Sequence, residues 1–234
     1  MIDHYTWSGG REAMLRFGPA DGPAVVVALP LFEEANRTRT FVVGMLRRLA
    51  SHGIGSVLPD LPGTGESVRA TVEASLSDWR AAYDAVIRTV GDRPAYAVAI
   101  RGGALIDSLA AVAGRWHFAP ASGHDLVREL LRTKKAEMRE SGLSRGSIDL
   151  PDDGGTPVEV AGNLLPRSLL AELEGALPRS GSGVRSVRLE TDPRPADLKV
   201  AGAPLWRRSE PGDDPALAAI LADDIAAWVR ACEG

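Results

Sequence analysis

Continuous apolar runs alternate along most of this chain with stretches in which apolar residues recur every three or four positions. Ala24–Leu29, AVVVAL, is a run of the kind expected for a strand buried on both faces. Ser56–Pro59, Ala95–Ile100, Trp116–Phe118, Val184–Glu190 and Leu198–Ala201 also read as strands. Between them, Arg37–His52 carries Phe41, Val42, Met45, Leu46 and Leu49 at helical spacing and meets a stop at Gly53. Ser75–Val90 carries Leu76, Trp79, Tyr83, Val86, Ile87 and Val90 on one face, with Ser75 and Asp78 placed to cap it. Ala104–Ala113 predicts an apolar helix, and Ala216–Cys232 a last helix started by Asp214 and Pro215. Tyr5–Trp7 and Met14–Phe17 flank Gly9-Gly10 and predict an edge hairpin. Strand–helix alternation with short connections means a mostly parallel sheet with helices on both faces. Ligands of such sheets bind beyond the carboxyl ends of the strands. The loop Pro30–Asn36, the turn Asp60–Ser67, Arg101 and the loop Ala119–His124 are expected to meet there.

The rhythm breaks after Pro120. Asp125–Ser141 predicts a charged helix, Gly142–Thr156 a Gly-, Ser- and Asp-rich loop, Val158–Val160 a short strand and Arg167–Leu177 a short helix. Residues 121–183 thus read as a lid-like insertion over a core formed by residues 1–120 and 184–234. The net charge of -4 gives no electrostatic case for nucleic acid. No run approaches the roughly 20 apolar residues of a membrane helix. The start, MIDHYTWSGGRE, lacks a basic stretch followed by an apolar core, and a cytoplasmic protein is expected. The single Cys232 excludes an intrachain disulfide and an all-cysteine metal site. Asp152-Asp153 has no ligand spacing, so neither metal nor cofactor is expected.

One stretch bears most directly on chemistry. Pro94–Ala113 reads strand, sharp Gly102-Gly103 turn, helix, which is the layout of the G-x-S-x-G nucleophile elbow. Here the five residues are Ala99-Ile100-Arg101-Gly102-Gly103, with Arg101 in the nucleophile's place. A guanidinium is always charged and cannot attack a carbonyl. With DLPGTGES at residues 60–67, the chain resembles an α/β-hydrolase. More narrowly, it is similar to the hydrolases associated with exosortase A systems and exopolysaccharide (PEP-CTERM) loci, of the kind labelled hydrolase 2. The matching stretches are PLFEEANRTR at Pro30–Arg39, LPDLPGTGES at Leu58–Ser67, AIRGGALI at Ala99–Ile106, PVEVAGNLLPRSLLAEL at Pro157–Leu173 and GAPLW at Gly202–Trp206. The resemblance implies an α/β-hydrolase fold and an arginine at the elbow as a shared trait.

A Ser-His-Asp triad needs an acid after a late strand and a histidine after the last one. Asp192 stands where the acid belongs, but Ala201–Asp214 holds no histidine. His4, His52 and His117 lie elsewhere, and His124 is at the start of the insertion. Ser67 reads as a brace of its turn, Ser108 as buried and Ser122 as lacking elbow geometry. Two readings of Arg101 follow. It grips an anionic or saccharide-like ligand, helped by Gly102 and a helix N-terminus. Alternatively Glu33 or Glu34 pairs with it and plugs the site, the favoured reading. The acidic loop, with Asn36, occupies the place where esterases stabilise an oxyanion, which a carboxylate would repel. Trp206 lies near the vacant histidine position and is expected to cover the site. Arg37 and Arg39 read as a solvated helix face.

These residues predict a hydrolase-fold pseudoenzyme with a degenerate triad, binding a small ligand or a protein partner; the resemblance implies a link to exopolysaccharide or exosortase systems. The alternative is an atypical hydrolase or acyltransferase, esterase- or thioesterase-like, built from Glu34, Arg101, His124 and Asp192. A homodimer formed through the insertion is a third reading.

Overall fold

A computed structural model of the chain describes residues 1–140, 156–160 and 162–234. The expected loop at 142–155, with Asp152-Asp153, lies outside the described residues. The hairpin of β1 (Ile2–Trp7) and β2 (Gly10–Phe17) forms one edge of an eight-stranded sheet. The other strands are β3 (Ala24–Ala28), β4 (Gly55–Pro59), β5 (Ala95–Ile100), β6 (Gly114–Phe118), β9 (Val184–Leu189) and β10 (Leu198–Val200). Their spatial order is β1-β2-β4-β3-β5-β6-β9-β10, antiparallel at β1, β2 and β4 and parallel from β4 onward. Between β3 and β5 the strand order reverses, which in a parallel sheet opens a crevice at the carboxyl ends.

Each face of the sheet has its own apolar core. On one face, α1 (Glu33–Ser51) and α5 (Pro215–Glu233) pack Phe41, Met45, Leu221 and Ile225 against Val25, Val98 and Trp116. On the other, α2 (Leu76–Arg88) packs Trp79, Tyr83 and Val86 against Val26, Ala97 and Ala99. The Tyr83 hydroxyl donates to the Val26 carbonyl at 2.7 Å, so this large buried side chain leaves no polar atom unpaired. Helix starts follow the capping signals: Ser75 accepts from the Asp78 N–H and Asp214 from the Leu217 N–H. Between β6 and β9 lie α3 (Gly123–Glu140), the hairpin β7 (Val158–Val160) and β8 (Asn163–Leu165), and α4 (Arg167–Glu174). Gly123 lets α3 meet α4, because a Cβ there would lie 1.6 Å from the Leu173 carbonyl oxygen.

Two expectations are corrected. Ala104–Ala113 does not form an α-helix; Arg101–Leu105 and Asp107–Leu109 are separate 3-10 turns, and the next strand begins at Gly114. A crossover between parallel strands takes about a dozen residues including its helix. Arg101–Ala113 is barely that long, so few residues remain to wind a helix between two turns. Polar pairing also holds the segment. The Asp107 carboxylate, fully buried, lies 2.8 Å from His117 Nε2 on β6, and Arg115 donates to the Asp107 carbonyl. The loop Pro30–Asn36 is likewise shorter than expected, because α1 already begins at Glu33. Glu33 and Glu34 stand in its first turn, where the helix dipole favours negative charge.

Gly103 is pressed against the backbone of β3: a Cβ there would meet the Ala28 carbonyl oxygen at 2.3 Å. Gly103→Ala is expected to lower the unfolding free energy by about 3 kcal/mol, since a backbone carbonyl cannot swing aside. Gly175→Ala, with nothing within 4 Å of the added methyl, is expected to stay within about 0.5 kcal/mol of the parent. Equal urea midpoints for the two variants would contradict the packing described.

Candidate functional site

Among the described residues, three non-glycine residues adopt positive φ: Phe32 (56°), Arg101 (55°) and Ala119 (47°). They follow the carboxyl ends of β3, β5 and β6, so backbone strain is concentrated on one rim of the sheet. Such strain costs on the order of 1–3 kcal/mol per residue and persists only where the surroundings enforce it. At Arg101 the enforcement is visible. Gly103 is pressed onto β3, a Cβ on Gly102 would lie 3.2 Å from Leu31, and the Arg101 carbonyl accepts from the Ala121 N–H at 3.3 Å. The sharp turn after β5 therefore exists as the Gly-Gly sequence predicts, without the helix behind it. The expected convergence of a helix N-terminus on Arg101 is corrected accordingly: a 3-10 turn of five residues stands there.

The Arg101 side chain is 10% exposed and surrounded by counter-charges. Its Nε donates to Glu34 Oε2 at 3.2 Å and its Nη2 to Glu34 Oε1 at 3.0 Å, a two-pronged grip. Nη2 also donates to Glu129 Oε2 on α3 at 3.1 Å. The guanidinium lies over the Trp206 ring, 4.9 Å from its centroid. Trp206 in turn stands edge-on to Phe118, and Arg37 donates to its carbonyl at 3.2 Å. Glu34 rather than Glu33 is thus the partner of Arg101, and Glu33 accepts from Asn163 instead. The reading of Arg37 and Arg39 as a solvated face is overturned. Arg37 holds Trp206, and Arg39 pairs at 2.8 Å with Asp60, a carboxylate that is 3% exposed. Both side chains lie on the flank of α1 that faces neighbouring loops, which periodicity within one helix does not reveal.

A cavity of about 370 Å³ opens above Arg101, walled by α3, the loop after β9 and the turn Leu205–Arg207. Asp192 and Trp206 line it together with Arg101. Asp192 is already engaged: its Oδ2 accepts from Arg188 at 2.7 Å and its Oδ1 from the Arg194 N–H at 3.0 Å. Burial opposes its ionisation, yet these bonds hold its carboxyl below the usual value. His124 is elsewhere. It is exposed, meets Glu174 at 2.5 Å and lines a separate hollow along α3 with Leu131 and Lys135. Asn36 and Gly102 do not line the cavity over Arg101; Asn36 belongs to a second cavity, between the loops after β3 and β4. Among the described residues lining the cavity over Arg101 there is no Ser, Cys or His, and Thr191 contributes its hydroxyl. Ser67 accepts from the Gly63 and Arg69 N–H groups, and Ser122 accepts from the Asp125 N–H at the start of α3. Sequence reasoning missed Glu129. Its one signal is its place on α3 beside Val127 and Leu130 and three residues from Leu126, which is in van der Waals reach of Gly102.

The architecture has counterparts among solved structures. No protein-family model matches the chain, and no curated protein does. Est1E from Butyrivibrio proteoclasticus is similar at a TM-score of 0.64 and 12% identity, over 99% of this chain and 98% of its own. A haloalkane dehalogenase, the DbeA-M1 loop variant from Bradyrhizobium elkanii, reaches 0.61 at 14% identity over 100% and 97%. The bottromycin epimerase BotH, solved with bottromycin A2, reaches 0.57 at 18% identity over 97% and 99%. At these identities the likeness is one of fold, and the chain has the α/β-hydrolase fold.

Burial pushes the Glu34 carboxyl above its ordinary value of 4.5, and the attraction of Arg101 offsets only part of that push. A carboxyl raised in this way holds its proton more tightly folded than unfolded. Its contribution to stability is full below the unfolded value and drains away as pH rises through the folded one. The stability of the parent minus that of Glu34→Gln is therefore expected to fall as pH is raised from about 4.5 toward neutrality. Urea midpoints across that range measure it, and a flat or rising difference would contradict the direction. Arg101→Ala at neutral pH strands the Glu34 carboxylate and is expected to cost about 3 kcal/mol.

Proposed function

We propose that this protein is a binding protein built on the α/β-hydrolase fold, without acyl-transfer chemistry, that takes a small anionic or acidic saccharide ligand in the cavity over Arg101. The observation that carries the reading is the occupant of the elbow. A strained turn that in a hydrolase lifts a nucleophile toward substrate here lifts a guanidinium, clamped by Glu34 and covered by Trp206. A triad base is not supplied from the described lining either, since no histidine stands among those residues and Asp192 is tied to Arg188. Glu34, on the loop side where an oxyanion would have to be stabilised, adds charge of the wrong sign.

The cavity's own charges supply the ligand class. Its lining holds five arginines against three carboxylates. Arg132 and Arg207 have no carboxylate partner among the described residues, whereas Arg128 and Arg194 share Asp125. Exposed guanidiniums in a concave wall attract and orient oxyanions. Glu129, 41% exposed, occupies part of Arg101 as a ligand's carboxylate or phosphate would, and an entering anion displaces it. The segment 121–183 then acts as a lid whose α3 supplies Glu129, Arg128 and Arg132. BotH, an epimerase with bottromycin A2 bound, supports the premise that this fold serves chemistry other than ester hydrolysis. The resemblance in PLFEEANRTR and AIRGGALI supports a role in exopolysaccharide- or exosortase-linked processes.

Two measurements test the proposal. A fluorophosphonate probe and a panel of p-nitrophenyl esters are expected to give neither labelling nor turnover; turnover lost in Arg101→Ala would overturn the non-catalytic reading in favour of an atypical esterase. By calorimetry, glucuronate or a sugar phosphate is expected to bind and neutral glucose not. The double variant Arg132→Ala/Arg207→Ala is expected to weaken binding about tenfold, near 1.4 kcal/mol. Glu129→Gln, which removes the competing carboxylate, is expected to tighten it a few-fold.

A further inference from the structure

We propose a second ligand site, independent of the cavity over Arg101, in which Arg39 and Asn36 receive the carboxylate of an organic acid whose apolar body fills the cavity between the loops after β3 and β4. That cavity measures about 560 Å³, more than the one above Arg101, and shares no lining residue with it. Its size is within the usual range for small-molecule sites, and it lies beyond the carboxyl ends of two parallel strands, where open α/β sheets take ligands.

The lining is mixed: apolar side chains from the loop after β3 stand beside polar and charged groups from α1 and the Asp60–Thr71 segment. Leu29, Leu31, Phe32 and Leu61 contribute apolar surface, joined by the small residues Ala28 and Ala35. Phe32 is the strained residue of this rim, at φ 56°, with its ring 5.9 Å from that of Trp79. A bulky side chain at positive φ marks a place where position is maintained against a local cost.

The hydroxyls of the Asp60–Thr71 segment are consumed internally. Thr64 bridges the N–H and carbonyl of Leu61, Ser67 accepts from two backbone N–H groups, and Thr71 donates to the Gly63 carbonyl. Both Asp60 oxygens are taken, one by Arg39 and one by the Glu66 N–H. Arg69 is committed to the Trp7 ring and to Glu73 and Asp78. Arg39 remains, with a single hydrogen bond to Asp60 among the described residues and four of its five N–H donors unused. Asn36, one turn earlier on α1, has no side-chain partner among the described residues. A fork of unused guanidinium donors beside an amide calls for an acceptor with two oxygens, and the apolar lining calls for a hydrocarbon or aryl body attached to it. Glu66, exposed at the rim, is screened by water and salt.

Octanoate and benzoate are the probes, with octanol and benzyl alcohol as neutral counterparts, followed by calorimetry and by amide chemical shifts in the intact chain. The acids are expected to bind at least tenfold more tightly than the alcohols. Arg39→Lys, which keeps a cation for Asp60 but loses the fork, and Asn36→Ala are each expected to weaken binding at least fivefold. Ala70→Trp, at an exposed rim position, is expected to block it. Arg132→Ala/Arg207→Ala is expected to leave it unchanged, which separates this site from the cavity over Arg101. Three results would overturn the proposal: no binding of either acid, equal binding of acids and alcohols, or binding lost in Arg132→Ala/Arg207→Ala and kept in Arg39→Lys and Asn36→Ala.

Discussion

A guanidinium held almost out of water must be paired, and the rim of this sheet is organised by that requirement. Arg101 stands on a turn whose φ of 55° fixes where its side chain emerges. Glu34 reaches it from the first turn of α1, Glu129 from α3 and Trp206 from the turn after β10. The segments are far apart in the chain, and each is anchored in its turn. Glu34 stands where the helix dipole favours a carboxylate, and Trp206 is held through its carbonyl by Arg37. Removing any one partner leaves either a charge without its counterpart or an arginine face open to water, so the arrangement is interdependent.

The proposed non-hydrolytic role rests on the same rim. Hydrolytic catalysis at an elbow needs a polarisable nucleophile, a base to take its proton and donors aimed at a developing oxyanion. Here Arg101, paired with Glu34, stands at the elbow, and Trp206 rather than a histidine lies against it. Asp192 answers Arg188, His117 answers Asp107 within the core, and His124 answers Glu174 on the surface. What is left over, among the described residues, is guanidinium without a carboxylate partner at the mouth of the cavity, and unused donors on Arg39 one loop away. Both support the proposed recognition of oxyanions, which costs the fold little because solvent already reaches those groups.

Much of the architecture was legible in the residues. Fully apolar AVVVA and AYAVAI mark strands covered on both faces, and Ser75 and Asp214 announce their helices through one side-chain hydrogen bond each. The elbow was legible because only glycine tolerates 2.3 Å between a Cβ position and the Ala28 carbonyl. Ala104–Ala113 misled because composition reports that a segment is buried and does not report how far it must travel. That length is set by the register Tyr96↔Gly114, a property of the sheet. The hairpin partner β8, Asn163–Leu165, was missed because three residues give too short a period to read.

The sequence by itself determined the alternation, most of the strands and the helices of the sheet's two faces, the sharp turn at Gly102-Gly103, the arginine at the elbow, the lack of a histidine in Ala201–Asp214, and the presence of acid near Arg101. These are local properties, carried by periodicity, side-chain chemistry and backbone permission. Which acid pairs, and with what help, was decided only by the tertiary structure. Glu34 was chosen over Glu33, and Glu129 was added to it, because distances between α1, α3 and the elbow depend on how three elements pack. The conversion of Arg37 and Arg39 from an apparent water-facing pair into supports for Trp206 and Asp60 has the same cause. A charged residue's role is set by what lies opposite it, and no single element contains that information.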